Sequence, residues 1–126
     1  MTDEITLTIP RERALYSVAH LVLGGLGIRL NLTIEHLEDL QLALEAVLDR
    51  ARDGQDVTIA LRVDDGEMQA RIGPMTDGVR AELDAEEGEA VGLRRILRAL
   101  VDRVEIESSA DGDWVQLTKS VEARET

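Results

Sequence analysis

The sequence predicts an α+β fold: a two-layer sandwich in which a mostly antiparallel, mixed sheet carries about three helices on one face. Three observations predict it. Ile5, Leu7 and Ile9 alternate with Thr6 and Thr8, and Val57, Ile59, Leu61 and Val63 alternate with Thr58, Ala60 and Arg62, the period of strands with one buried face. Leu37, Leu40, Leu44, Val47, Leu48 and Ala51 recur at three- and four-residue steps, the stripe of a helix lying on a core. Asp65-Gly66 and Asp111-Gly112 are tight hairpin pairs, which join neighbouring strands in opposite directions.

Taken in order, the first strand ends at Pro10, which has no N–H for a ladder. A helix follows from about Glu12 to Leu23, with Leu15, Val18, Ala19 and Val22 inward, and Gly24, Gly25 and Gly27 are expected to stop it. Thr33 is the expected N-cap of the second helix, Glu35, Glu38 and Asp39 put negative charge near its positive end, and Asp53-Gly54 is expected to close it. The hairpin at Asp65-Gly66 leads into a strand with Met68, Ala70 and Ile72. Pro74 to Glu89 has no clean period and reads as a connection, with a short helical turn around Val79 to Leu83. Leu93, Ile96, Leu97, Leu100 and Val101 form a third amphipathic helix, and Val104 to Glu107 with Trp114 to Val121 complete the sheet. No internal repeat is visible, and residues 1–126 read as a single domain.

Composition narrows the function classes. With 44% apolar and 32% charged residues the chain reads as an ordinary globular domain, and with no Phe its core must be built from aliphatic side chains. The absence of Cys excludes disulfide and thiolate chemistry and is compatible with a reducing cytoplasm. The acidic start is not a signal peptide, and the apolar stretch Ala19 to Leu26 is far short of the ~20 residues that span a bilayer. A net charge of −12 is repelled by phosphate backbones and anionic lipid, so neither nucleic acid nor membrane is an expected partner. His20 and His36 lie on different helices with no third ligand spaced for zinc, so no metal site is expected. Ser17, Ser108, Ser109 and Ser120 lack a nucleophile motif. Trp114 alternates away from Val115 and Leu117, so it is expected to cover the sheet edge, with anchoring of a partner as the other role.

Glu38-Asp39-Leu40, Leu42-Ala43-Leu44 and Leu100-Val101-Asp102, together with the element order, resemble the anti-sigma-factor serine kinases of the GHKL ATPase superfamily over about residues 5 to 121. That family carries Glu-x-x-x-Asn on the second helix, the Glu to activate a nucleophile and the Asn to hold Mg²⁺. Aligned without a gap, those positions are Ala46 and Arg50. A methyl group takes no proton and a guanidinium offers no lone pair to a cation. A one-residue slip would give Glu45 and Asp49 those roles, but it turns the helix by about 100° and takes the apolar stripe off the core. They read instead as solvated acids. The family's adenine-binding Asp-x-Gly corresponds to Ile72-Gly73-Pro74-Met75-Thr76, where Pro74 has no side-chain acceptor and Asp77 could serve only in a rebuilt loop. The glycine-rich phosphate loop is reduced to Gly88-Glu89-Ala90-Val91-Gly92-Leu93, with Gly92 alone directly before the helix. Glu86, Glu87 and Glu89 would repel a triphosphate, and Arg94 and Arg95 are expected to pair with nearby acids.

The resemblance therefore implies the scaffold without its chemistry. The expected function is a non-catalytic regulatory module, cytoplasmic, which occludes a sigma factor or a STAS-type anti-anti-sigma protein, uses no cofactor, and forms the homodimer common in the family. The rival is an active ATP-dependent serine/threonine kinase using Mg-ATP through Glu45, Asp49 and Asp77. A third reading keeps a pocket for another small ligand, with Arg50 as its anion contact.

Overall fold

The computed structural model describes residues 3–30, 32–64, 66–75, 79, 83 and 92–120. In these, β1 (Asp3–Pro10) is followed by a 3-10 turn (Arg13–Leu15), α1 (Tyr16–Leu30) and α2 (Ile34–Leu48). The hairpin of β2 (Asp56–Asp64) and β3 (Glu67–Met75) comes next, then α3 (Leu93–Leu100), β4 (Arg103–Ser109) and β5 (Gly112–Ser120). The sheet order is β1-β2-β3-β5-β4, and among the described residues every pairing is antiparallel, with no parallel pair to make the sheet mixed. Asp64 faces Glu67 across the hairpin, where Gly66 has φ 80°, a left-handed conformation that suits glycine.

One face of the sheet builds the core. Ile9, Val57, Ile59, Leu61, Met68, Ala70, Ile72, Val115 and Leu117 are buried there, each at the alternate positions that the strand period assigns to one side. The helices cover them with Tyr16, Ala19, Leu23 and Leu26 from α1, Leu40, Ala43, Leu44, Val47 and Leu48 from α2, and Leu93 and Leu97 from α3. Val79 and Leu83 are helical and buried in the same core, where a short helical turn was expected. The opposite face carries Thr8 hydrogen-bonded to Thr58 at 2.8 Å and Arg71 paired with Glu107 at 3.1 Å, polar groups that stay wet.

Two helix boundaries depart from expectation. The first helix does not stop at Gly24, Gly25 or Gly27; it begins three to four residues later than expected and runs to Leu30. Each helical glycine costs about 1 kcal/mol relative to Ala, but Leu26 beyond the first two is buried, and seating a Leu side chain stabilises by roughly 1.5–3 kcal/mol. Gly27 also lies against Leu32 and Leu37, and the helix end closes with Leu32 N–H on the Gly27 carbonyl at 3.0 Å. The second helix ends at Leu48 with Asp49 as its C-cap, ahead of Asp53-Gly54. Thr33 caps its start as expected, its hydroxyl accepting the His36 N–H at 3.0 Å.

Candidate functional site

Helix α2 fixes the directions of the residues that matter. With Leu40, Ala43, Leu44, Val47 and Leu48 buried, Glu45 and Asp49 project along the flank toward α1. Ala46 stands about 100° further round the helix, and Arg50 lies just beyond its end, in the turn after the Asp49 C-cap. Ala46 lies half-buried against the core, and Arg50 Nη1 donates to the Ala46 carbonyl of α2 at 3.3 Å, four residues back in the chain.

Glu45 and Asp49 are not the two solvated acids that were expected. His20 Nε2 lies 2.6 Å from Glu45 Oε2, while His20 Nδ1 is buried with no hydrogen-bond partner among the described residues. That arrangement suits an imidazole whose Nε2–H donates to the carboxylate. One turn on, Asp49 Oδ1 accepts from the Tyr16 hydroxyl at 2.7 Å and from Arg13 Nη1 at 2.8 Å. Arg11 lies 3.9 Å from the same carboxylate, donates to the Leu48 and Asp49 carbonyls, and pairs with Asp53. Its guanidinium thereby satisfies the last carbonyls of α2 and places positive charge at the helix's negative end.

Burial, followed by the hydrogen bond and negative charge of Asp49, pushes the Tyr16 hydroxyl up to about 12 from its ordinary 10.0. Because the folded value is the higher one, Tyr16 stabilises the fold fully below pH 10, and that contribution is lost as pH rises through 12. Tyr16 is the only tyrosine, so the tyrosinate absorbance of the whole protein reports it alone. The titration midpoint is expected near 12, and Asp49→Asn should move it part of the way back toward 10.0, since burial remains. A midpoint of 10.0 in the intact protein would show that the contact with α2 does not form.

The other candidate positions are dispersed. Pro74 lies within β3, its carbonyl accepting from Gln55 Nε2 at 2.6 Å. Gly92 is the N-cap of α3 with φ −86°, and a Cβ there would meet nothing within 4 Å, so its backbone imposes no demand for glycine. Arg94 Nε donates to the Leu83 carbonyl, and the neighbouring acids it was expected to pair with lie outside the described residues. Arg95 is exposed. Asp77, Glu86, Glu87 and the segment Gly88 to Val91 lie outside the described residues.

Trp114 does not cover the edge of the sheet. It stands half-buried on β5, between β3 and the edge strand β4, with its ring over Gly73. Arg71 stacks 5.0 Å from the ring centroid, and the indole N–H donates to Asp111 Oδ1 at 3.1 Å. That bond, with a second from Ser109, lowers the Asp111 carboxyl below its ordinary range. A shallow depression lined by Glu105, Ile106, Glu107 and Gln116 lies on β4 and β5 and includes no residue of α2.

Sequence reasoning missed Arg11, Arg13, Tyr16 and His20 as partners of the α2 acids. Their signal was present: residues 13, 16 and 20 recur at three- and four-residue steps across the 3-10 turn and the start of α1, opposite acids spaced four apart at 45 and 49.

No family model matches the sequence, and no curated protein does. Among solved structures, the chain is similar to the crystal structure of the RsbU and RsbW domains of Rv1364c from Mycobacterium tuberculosis, with a TM-score of 0.64 at 14% identity over 98% of this chain. The match covers 35% of that chain's length. The likeness is one of fold, and the α+β architecture expected from the element order is the one found. No helix among the described residues is long and apolar enough to cross a membrane.

Chemically, α2 and the turn that follows it present a methyl group and a guanidinium on one side and two acids tied to α1 and the 3-10 turn before it on the other. An acid serves as a general base only when it reaches the proton it removes. Glu45 reaches His20 and Asp49 reaches Tyr16 and Arg13, all on or beside α1.

Proposed function

We propose that this chain is a regulatory protein-binding module of the anti-sigma-factor type, which sequesters a sigma factor or a STAS-type anti-anti-sigma partner in the cytoplasm without phosphorylating it. The observation that carries the proposal is the disposition of α2: Ala46 and Arg50 at the positions the resemblance assigns to base and metal ligand, with Glu45 and Asp49 engaged by α1. The fold likeness to a structure containing an RsbW domain supports the same reading. The mechanism is stoichiometric: a partner surface is covered while bound and released by competition, with no covalent switch and no cofactor. A kinase would require Glu45 to leave His20 and point elsewhere.

Calorimetric titration with Mg-ATP tests the non-catalytic part. No micromolar binding is expected. Micromolar binding that weakens on Asp77→Asn would overturn it. Affinity capture from the native host tests the partner. Recovery of neither a sigma factor nor a STAS-type protein would remove that assignment and leave the architecture.

A further inference from the structure

Helix α1 is mostly apolar, with Ser17, His20 and Arg29 among its few polar residues, and one side of it has no cover. Tyr16, Ala19, Leu23 and Leu26 are buried, yet Leu21 is 75% exposed and Ile28 81% exposed, one above the other on the outer side. Between them lie Gly24 and Gly25, where an added Cβ would meet nothing within 4 Å, so the backbone itself is accessible. On α2, Ile34 is 72% exposed and Leu42 is 54% exposed, eight residues apart on the outward side of that helix. Apart from Ile5 at the threshold, these four are the exposed large apolar side chains among the described residues, and all stand on one helical pair. Scattered surface leucines need no explanation, but a concentration on one face marks an interaction surface.

Charge says what fits it. Exposed Glu38 stands midway between Ile34 and Leu42 on the same stripe, and exposed Glu35 stands beside Ile34. Each chain carries a net charge of −12, so a second copy laid on this surface would bring like charges together. A partner helix with an apolar stripe and Lys or Arg beside it meets the leucines and isoleucines with its apolar side and the two glutamates with its charges. The low glycine ridge lets such a helix approach closely.

We propose that the outer face of α1 and α2, through Leu21, Ile28, Ile34 and Leu42 with Glu35 and Glu38, docks a basic amphipathic helix of a partner protein. The inference rests on the reading of the chain as a protein-binding module and names its surface and the chemistry of its partner.

The test uses a Leu/Lys helical peptide of roughly 18 residues, long enough to form a helix, titrated into the full chain. Binding is expected to weaken at least about tenfold, or ~1.4 kcal/mol, in Leu21→Ser/Ile28→Ser and in Ile34→Ser/Leu42→Ser. It should weaken in Glu35→Gln/Glu38→Gln and at higher salt. All six positions are on the surface, and unchanged far-ultraviolet dichroism confirms that each variant folds. Equal affinity for the apolar variants, or for a scrambled peptide of the same composition, overturns the proposal. So does sedimentation showing a wild-type dimer that Leu21→Ser/Ile28→Ser disperses, which would assign the face to a second copy. Mg-ATP binding would overturn the non-catalytic reading without moving these affinities, so the two failures are distinguishable.

Discussion

Leu48→Ala is expected to destabilise the protein by about 2–5 kcal/mol, the range for removing a buried Leu and leaving a cavity. Leu48 is 0% exposed, at the end of α2 where the helix meets the core. For a domain of this size the midpoint of thermal unfolding should fall on the order of 10–20 °C. Leu42→Ala, on the same helix but 54% exposed, should cost well under half as much. Urea unfolding of the two variants side by side measures the rotation of α2. Equal losses would mean the helix is turned from the orientation described, and the assignments of Glu45, Ala46, Asp49 and Arg50 to their flanks would fall with it.

Gly73→Ala is expected to cost about 1–3 kcal/mol, as overpacking does. A Cβ on Gly73 would come 2.6 Å from Trp114 Cδ2, 2.8 Å from Cγ and 2.9 Å from Cε3, closer than real contacts allow. The ring is not a loose end that can swing away freely, since Arg71 stacks on it and Asp111 holds its N–H. Relief requires the indole to tilt, which sacrifices a cation–π contact of roughly 0.5–1 kcal/mol and the bond to Asp111. Trp114 is the sole tryptophan, so its emission should shift to longer wavelength in the variant. Unchanged emission together with unchanged stability would show that the ring does not lie over Gly73.

Elements carried by a strong period were legible without the structure. The strands around Val57 and Met68 and the helices of residues 34–48 and 93–100 turn inward the side chains that their alternation or stripe assigns there, while of Ile5, Leu7 and Ile9 on the first strand only Ile9 is fully buried. The misreading of α1 has a particular cause. Gly24, Gly25 and Gly27 are local signals to stop, and a local signal worth about 1 kcal/mol per residue cannot register that Leu26 finds a place in the core. The helix continues because tertiary burial outweighs propensity.

The candidate site divides the same way. The sequence by itself determined that a methyl and a guanidinium occupy positions 46 and 50 and that Pro74 stands at the end of the third strand, since these are facts of residue chemistry in a given frame. It also determined the α+β class, because hydrophobic period and turn chemistry are properties of neighbouring residues. Only the tertiary structure decided where the acids at 45 and 49 went. Their partners Arg13, Tyr16 and His20 lie 25 to 36 residues away in the chain, and the pairing depends on how α1 lies against α2. The uncovered face of α1 was hidden for the same reason: Leu15, Val18, Ala19 and Val22 were expected inward, but the packing buries Tyr16, Ala19, Leu23 and Leu26 and leaves Leu21 and Ile28 exposed.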